Sequence, residues 1–262
     1  MKTRTIEGPQ GRLAVDEAGS GNELAAVFLH ADSGSRGHWR NALAHVGTRR
    51  RAVALDLRGH GDSDVPRNGD FSYAGRAEDI SAVVDALDLR RFILVGHSGG
   101  AAVALAFANA HAERVAALLL VDPVTDPASI PPEQRAGALA ALKGPDYLAV
   151  ITDYYGSIVG PNPQTAAIVL HDVERTPQAT IVGAMTALDT LRPGDLVGHY
   201  EGPTLSIVLP ANDTEHALHR TGRGFPCRHF PSLEVGHWFH LDDPVTFHAM
   251  LDAYFDEVAR KA

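Results

Sequence analysis

Ser98 sits at the join of two segments of opposite character. Before it, Phe92-Ile93-Leu94-Val95 is an apolar run rich in branched side chains, which predicts a buried strand; behind it, Ala101 to Ala106 reads as a packed helix. The residues around the join are Gly96-His97-Ser98-Gly99-Gly100. Glycines without a Cβ let chains pass closely at a sharp strand-to-helix turn, and such a turn pushes the serine hydroxyl out above the sheet. The helix start also aims free N–H groups, notably that of Gly99, at the place where negative charge develops when an acyl carbonyl is attacked. The implied chemistry is acyl transfer through a serine nucleophile.

Serine is a poor nucleophile at neutral pH, so Ser98 needs a base to take its proton and a carboxylate to orient that base. His237, just after the last predicted strand (Arg228 to Leu233), is the best placed of fourteen histidines. Two carboxylates compete for the third role. Asp213 follows the strand Thr204 to Leu209 and precedes His237 by 24 residues, which leaves room for one helix and one strand; Asp122 ends the strand Ala116 to Val121, 24 residues after Ser98. We assign Asp213 as the acid and read Asp122-Pro123 as a strand terminator. His216 and His219, near Asp213, and His237 and His240 are each three apart, but no HExxH pattern accompanies them, so neither a metal nor a cofactor is expected.

The Gly-x-Ser-x-Gly segment resembles the nucleophile elbow of the α/β hydrolase superfamily, whose triad runs in the chain order Ser, then Asp or Glu, then His. The resemblance implies a mostly parallel, doubly wound sheet and a second oxyanion donor. His30-Ala31-Asp32-Ser33-Gly34-Ser35 resembles the family's His-Gly oxyanion loop, with Ala31 where glycine is usual and Asp32 at the donor position. The N–H of Asp32 can serve, provided its carboxylate points away from the oxyanion or is neutralised. Arg58-Gly59-His60-Gly61-Asp62-Ser63 resembles the turn after the family's fourth strand, where His60 and Asp62 read as structural. Branches that open epoxides or displace halide use an aspartate nucleophile, and position 98 is serine. The resemblance therefore implies hydrolysis of a carboxylic ester or lactone of a small, largely apolar substrate. Two alternatives stand beside it: cleavage of carbon–carbon bonds in aromatic ring-fission products, whose histidine loop the His237-Trp238 pair resembles, and a ligand-binding relative with little turnover.

The elements that must position these groups follow a regular rhythm. Strands at Leu24–Leu29, Arg51–Leu57 and Ala116–Val121, with a helix face at Ile80, Val83, Val84 and Leu87, mark a parallel sheet covered on both sides. From Val124 to about Tyr200 only helical signals occur, one of them starting at Thr176-Pro177, so 124–200 is expected as a helical cap between core segments 1–123 and 201–262. Tyr154, Tyr155 and Met185 of the cap, with Trp238, are the expected substrate-binding residues. The closing helix has Asp243 as N-cap and Pro244 in its first turn.

With 262 residues and 45% hydrophobic content the chain can build a large core, and 23 basic against 32 acidic residues give a net charge of −9 that disfavours nucleic acid and anionic membranes. Cys227, the single cysteine, excludes an internal disulfide. No signal peptide or membrane-length apolar run is visible, so a cytoplasmic protein acting on a small molecule is expected.

Overall fold

The structure, a computed structural model, describes residues 1–222 and 224–260. Its centre is a seven-stranded sheet. Strand β1 (Lys2–Glu7) pairs antiparallel with the first arm of β2 (Arg12–Leu29), which then doubles back into the middle of the sheet. Strand β3 (Arg50–Leu55) lies between the two arms: its partners run from Val15 with Leu55 to Ala18 with Ala52 on one side, and from Ala26 with Ala52 to Leu29 with Leu55 on the other. The second arm, β4 (Phe92–His97), β5 (Val115–Val121), β6 (Thr204–Val208) and β7 (Cys227–His229) continue in parallel. The bend between the arms falls at residues 19–22. It demands glycine, because a Cβ on Gly21 would lie 1.8 Å from the Arg49 carbonyl oxygen.

Alternate residues of each buried strand face opposite layers. Phe92 and Leu94 of β4 belong with α2 (Tyr73–Ala86) and α3 (Gly99–Ala110), through Ile80, Val83 and Phe107. Ile93 and Val95 belong with α1 (Arg40–Val46) on the other face and with the C-terminal helix, through Leu43, Leu251 and Phe255. Burying each such side chain stabilises the fold by about 1.5–3 kcal/mol, so β4 is anchored from both sides before it delivers Ser98.

Between β5 and β6 the chain forms α4 (Pro132–Lys143), α5 (Tyr147–Ile158), α6 (Pro163–Arg175), α7 (Gln178–Asp189) and the short α8 (Pro193–Val197). Ile151, Tyr155, Val173 and Ile181 of this insert form an apolar cluster with Ala31 and Trp238 from loops of the sheet. Thr176 does not cap the helix after it: its hydroxyl donates to the Asp172 carbonyl (2.8 Å) and closes α6. After β7 come α9 (Phe239–Asp242) and α10 (Pro244–Ala259), the latter capped as expected by Asp243, whose Oδ1 accepts from the Thr246 N–H (3.0 Å). Strand β7 is shorter than the sequence suggests. Its last ladder bond is from the Phe230 N–H to the Val208 carbonyl, and Pro231 next to it has no N–H to extend the ladder. No helix of the described residues is long and apolar enough to cross a membrane.

Candidate active site

Ser98 has φ 52° and ψ −118°, a left-handed-side backbone that costs about 1–3 kcal/mol in a non-glycine residue. The fold holds it there: its N–H donates to the Val121 carbonyl (3.0 Å) at the end of β5, and β4 before it is fully buried. Two of the flanking glycines are required by contact. A Cβ on Gly96 would meet the Gly100 carbonyl oxygen at 2.5 Å, and one on Gly100 would meet the His30 carbonyl oxygen at 2.4 Å. The elbow is therefore wedged between its own helix and the His30 loop.

Asp122, directly after β5, is fully buried and has φ 39°. Its Oδ1 accepts from the Leu209 N–H (3.1 Å), and its Oδ2 accepts from Asn212 Nδ2 (2.8 Å) and from His237 Nδ1 (2.6 Å). With Nδ1 donating, His237 keeps Nε2 free as a base. Its backbone is held by two further bonds. The His237 N–H donates to the Ile158 carbonyl at the end of α5 (2.9 Å), and His97 Nε2 donates to the His237 carbonyl (3.0 Å). The rings of His97 and His237 are 4.6 Å apart, which places the histidine beside the residue preceding Ser98. Burial, reinforced by the charge of His237, pushes His97 well below its ordinary pKa, so it remains a neutral donor.

The assignment of Asp213 as the acid is corrected by this geometry. Asp213 Oδ1 accepts from His219 Nε2 (2.8 Å) and Arg220 Nε (2.6 Å), and Oδ2 accepts from His229 Nε2 (2.8 Å). Arg220 first, then His229 and His219, hold its carboxyl well below the usual carboxylate range. Both oxygens are engaged with these three partners, and His237 is bonded to Asp122. The neighbour Asn212 connects the two places, since it precedes Asp213 and donates to Asp122.

On the oxyanion side, among the described residues neither the Asp32 N–H nor the Gly99 N–H has a protein acceptor. His30 shapes this loop as a neutral ring: Nδ1 donates to the Ala31 carbonyl (2.7 Å) and Nε2 accepts from the Leu57 N–H (3.0 Å). Burial pushes its pKa down to about 4, and that of His60 likewise. His60 and Asp62, expected to be structural, are both tied into their turn by hydrogen bonds. His60 Nδ1 donates to the Arg58 carbonyl (2.9 Å), and the Asp62 N–H donates to Asp56 Oδ2 (2.8 Å). The Asp32 carboxylate is buried and pairs with Arg76 of α2 (2.6 Å), while its carbonyl accepts from the Tyr155 hydroxyl (2.6 Å).

The four expected substrate-binding residues divide. Trp238 is fully buried and packs on Tyr155 (5.6 Å between rings) and His97 (5.5 Å), so it is core beneath the histidine loop and not a pocket wall. Tyr155 is also buried. Tyr154 is 52% exposed, and surrounding protein and then the Asp32 charge push its hydroxyl pKa up. Met185 is half-buried against the apolar cluster of the insert.

Arg76, Asn212 and His97 were not anticipated. A signal existed for Arg76: extended backward from Ile80, the apolar periodicity of α2 passes through it, and a charge on a buried face demands a partner. None distinguished His97 or Asn212.

A family profile for the alpha/beta hydrolase fold matches residues 27–147. The chain is 29% identical to an uncharacterised protein of Mycobacterium tuberculosis, over 98% of this chain and 81% of the relative. It is 29% identical to the sn-1-specific diacylglycerol lipase of Mus musculus, over 85% of this chain and 78% of that one. Among solved structures it superposes on Est816, described as an N-acyl homoserine lactone degrading enzyme, with a TM-score of 0.82 at 24% identity, covering 96% of this chain and 100% of the other. A thermophilic esterase from Thermogutta terrifontis also superposes with a TM-score of 0.82, at 21% identity, covering 98% and 99%.

Proposed function

We propose that the chain, matched over residues 27–147 by a profile for the alpha/beta hydrolase fold, is a serine hydrolase acting on a carboxylic ester or lactone through an acyl-enzyme. The observation that carries this reading is the bond from His237 Nδ1 to the buried Asp122, with the His237 ring 4.6 Å from that of His97, the residue that precedes Ser98 in its elbow. Ser98 Oγ attacks the carbonyl carbon as its proton passes to His237 Nε2, and Asp122 stabilises the imidazolium. The carbonyl electron pair moves onto oxygen, where the N–H groups of Gly99 and Asp32 receive the charge. Losing one such donor costs about 2.7–4 kcal/mol of transition-state stabilisation. The tetrahedral intermediate collapses, the leaving alkoxide takes the proton from His237, and water repeats the sequence on the acyl-enzyme.

Helices α4 to α7 act in this reading as a cap. Tyr154 and Met185 line the approach, and α5 carries both Tyr155, which fixes the oxyanion loop, and Ile158, which fixes the histidine loop. Acyl-length preference is expected to follow substitutions in these helices. A serine nucleophile argues against dehalogenation, although a haloalkane dehalogenase of Mycolicibacterium smegmatis is a 31% identical relative over 66% of this chain. Ester and lactone substrates agree with the descriptions of the lipase, lactonase and esterase relatives.

The test is intact mass after exposure to a fluorophosphonate, followed by turnover of p-nitrophenyl esters and γ-lactones of graded chain length. One adduct on the native protein, none on Ser98→Ala, and ester or lactone turnover lost with Ser98 are expected. Hydrolysis that survives in Ser98→Ala would sink the mechanism.

A further inference from the structure

The oxyanion loop carries a charge of the wrong sign. Asp32 contributes the N–H of the proposed oxyanion hole, and its own carboxylate packs against the other donor residue: a Cβ on Gly99 would lie 2.2 Å from Asp32 Oδ2. A negative group so close to a forming oxyanion opposes the reaction. Two unit charges about 5 Å apart at an effective dielectric near 20 repel strongly enough to slow a reaction on the order of a hundredfold.

Arg76 answers that charge. It is fully buried on the sheet-facing side of α2, its Nη1 pairs with Asp32 Oδ1 at 2.6 Å, and its guanidinium lies 4.7 Å from the centre of the Tyr73 ring. Among the described residues, Nε and Nη2 of Arg76 have no hydrogen-bond partner, and Asp32 is its single ion-pair partner. The nearby rings do not share the task. His60 is held neutral by burial, with a pKa near 4, and burial raises the hydroxyl pKa values of Tyr73, Tyr154 and Tyr155. A buried arginine that leaves two nitrogens unpaired is an expensive way to stabilise a helix face. It is explained if the positive charge itself is what the loop needs.

We propose that Arg76 is a positioning residue of the oxyanion hole: its guanidinium neutralises Asp32 and holds that carboxylate turned from the oxyanion, leaving the Asp32 N–H to donate. Tyr155 clamps the same residue at its carbonyl, so the loop is fixed from α2 and from α5 together. The inference rests on the serine-hydrolase reading above.

The test is a double-variant cycle of charge removal on hydrolysis of p-nitrophenyl butyrate, with circular dichroism to establish folding. Arg76→Met leaves Asp32 uncompensated, and kcat is expected to fall about a hundredfold with KM changed little. Asp32→Asn in the same chain removes the offending charge, and the double variant is expected to recover to within about tenfold of the native protein. Arg76→Lys keeps the charge and is expected to stay within about tenfold, which carries the test if Arg76→Met does not fold. A merely structural arginine predicts the opposite pattern, with the double variant as slow as or slower than Arg76→Met and Arg76→Lys equally impaired; that result overturns the inference while leaving the mechanism intact. Hydrolysis retained by Ser98→Ala, run beside these variants, would remove the serine mechanism and this inference with it.

Discussion

Two aspartates stand at the ends of adjacent parallel strands, and the fold treats them differently. Asp122, after β5, is sealed from solvent and receives the Leu209 N–H, Asn212 and His237. Asp213, after β6, faces Arg220 and His229, whose side chains are about half exposed, and the buried His219. Both carboxylates are well supplied with donors, so the number of bonds does not distinguish them. What differs is the partner. In a water-excluded site, a carboxylate bonded to one imidazole biases that imidazole's tautomer and charge strongly. A carboxylate shared among an arginine and two histidines near the surface serves instead to tie a loop to the sheet edge.

The comparison breaks most visibly in turnover. Asp122→Asn is expected to lower kcat for ester hydrolysis by about 10³–10⁴, the size of effect seen when a triad loses its acid. Asp213→Asn should stay within about tenfold in the same steady-state assay. If the magnitudes came out exchanged, the geometry around His237 would have been misread.

Acid stability sharpens the contrast between buried and exposed groups. His30 and His60 are buried neutral, with pKa values near 4 against about 6.5 in an unfolded chain. The unfolded state therefore binds protons first as pH falls, and the stability these rings contribute is present above about pH 6.5 and lost progressively toward pH 4, by on the order of 3 kcal/mol per ring. Asp213 acts lower on the scale. Its depressed carboxyl contributes stability above about pH 4, lost as pH falls further toward its folded value. Urea melts of the native protein and of Asp213→Asn between pH 3 and 8 should therefore coincide in shape above pH 4 and diverge below it. Divergence across the whole range would contradict this division.

The link between the two sites gives a smaller effect. Asn212→Ala removes one charge-assisted bond to Asp122, and kcat should fall about tenfold with KM unchanged, because a hydrogen bond to a charged group contributes about 1.5–3 kcal/mol. The smallest change expected is in Asp213→Asn itself, a drop in Tm of a few degrees, measured by calorimetry at pH 7.

Much of this was legible in the chain. The strand-to-helix rhythm, the strand-to-helix join at Ser98 and the helical signals from Val124 to about Tyr200 rest on local patterns of period and small-residue placement, and local patterns are written in order along the sequence. The partnership of His237 was not. Asp122 and Asp213 both follow a strand of the parallel sheet, and the choice between them depends on which side chain the end of α5 and the His97 ring aim the histidine toward, a matter of packing between segments more than 75 residues apart. The cations crowded around Asp213 were nevertheless a warning, since His219 and Arg220 follow it within one short loop. Trp238 was misplaced for a related reason: adjacency to His237 says nothing about which side of the backbone its indole occupies.

The most direct measurement of the central assignment is the second-order rate of fluorophosphonate labelling, because it reports activation of Ser98 without knowledge of the substrate. Asp122→Asn should label about 10³-fold more slowly than the native protein, with Asp213→Asn indistinguishable from it. Fast labelling of Asp122→Asn together with slow labelling of Asp213→Asn would contradict the account, and would return the role of orienting His237 to Asp213.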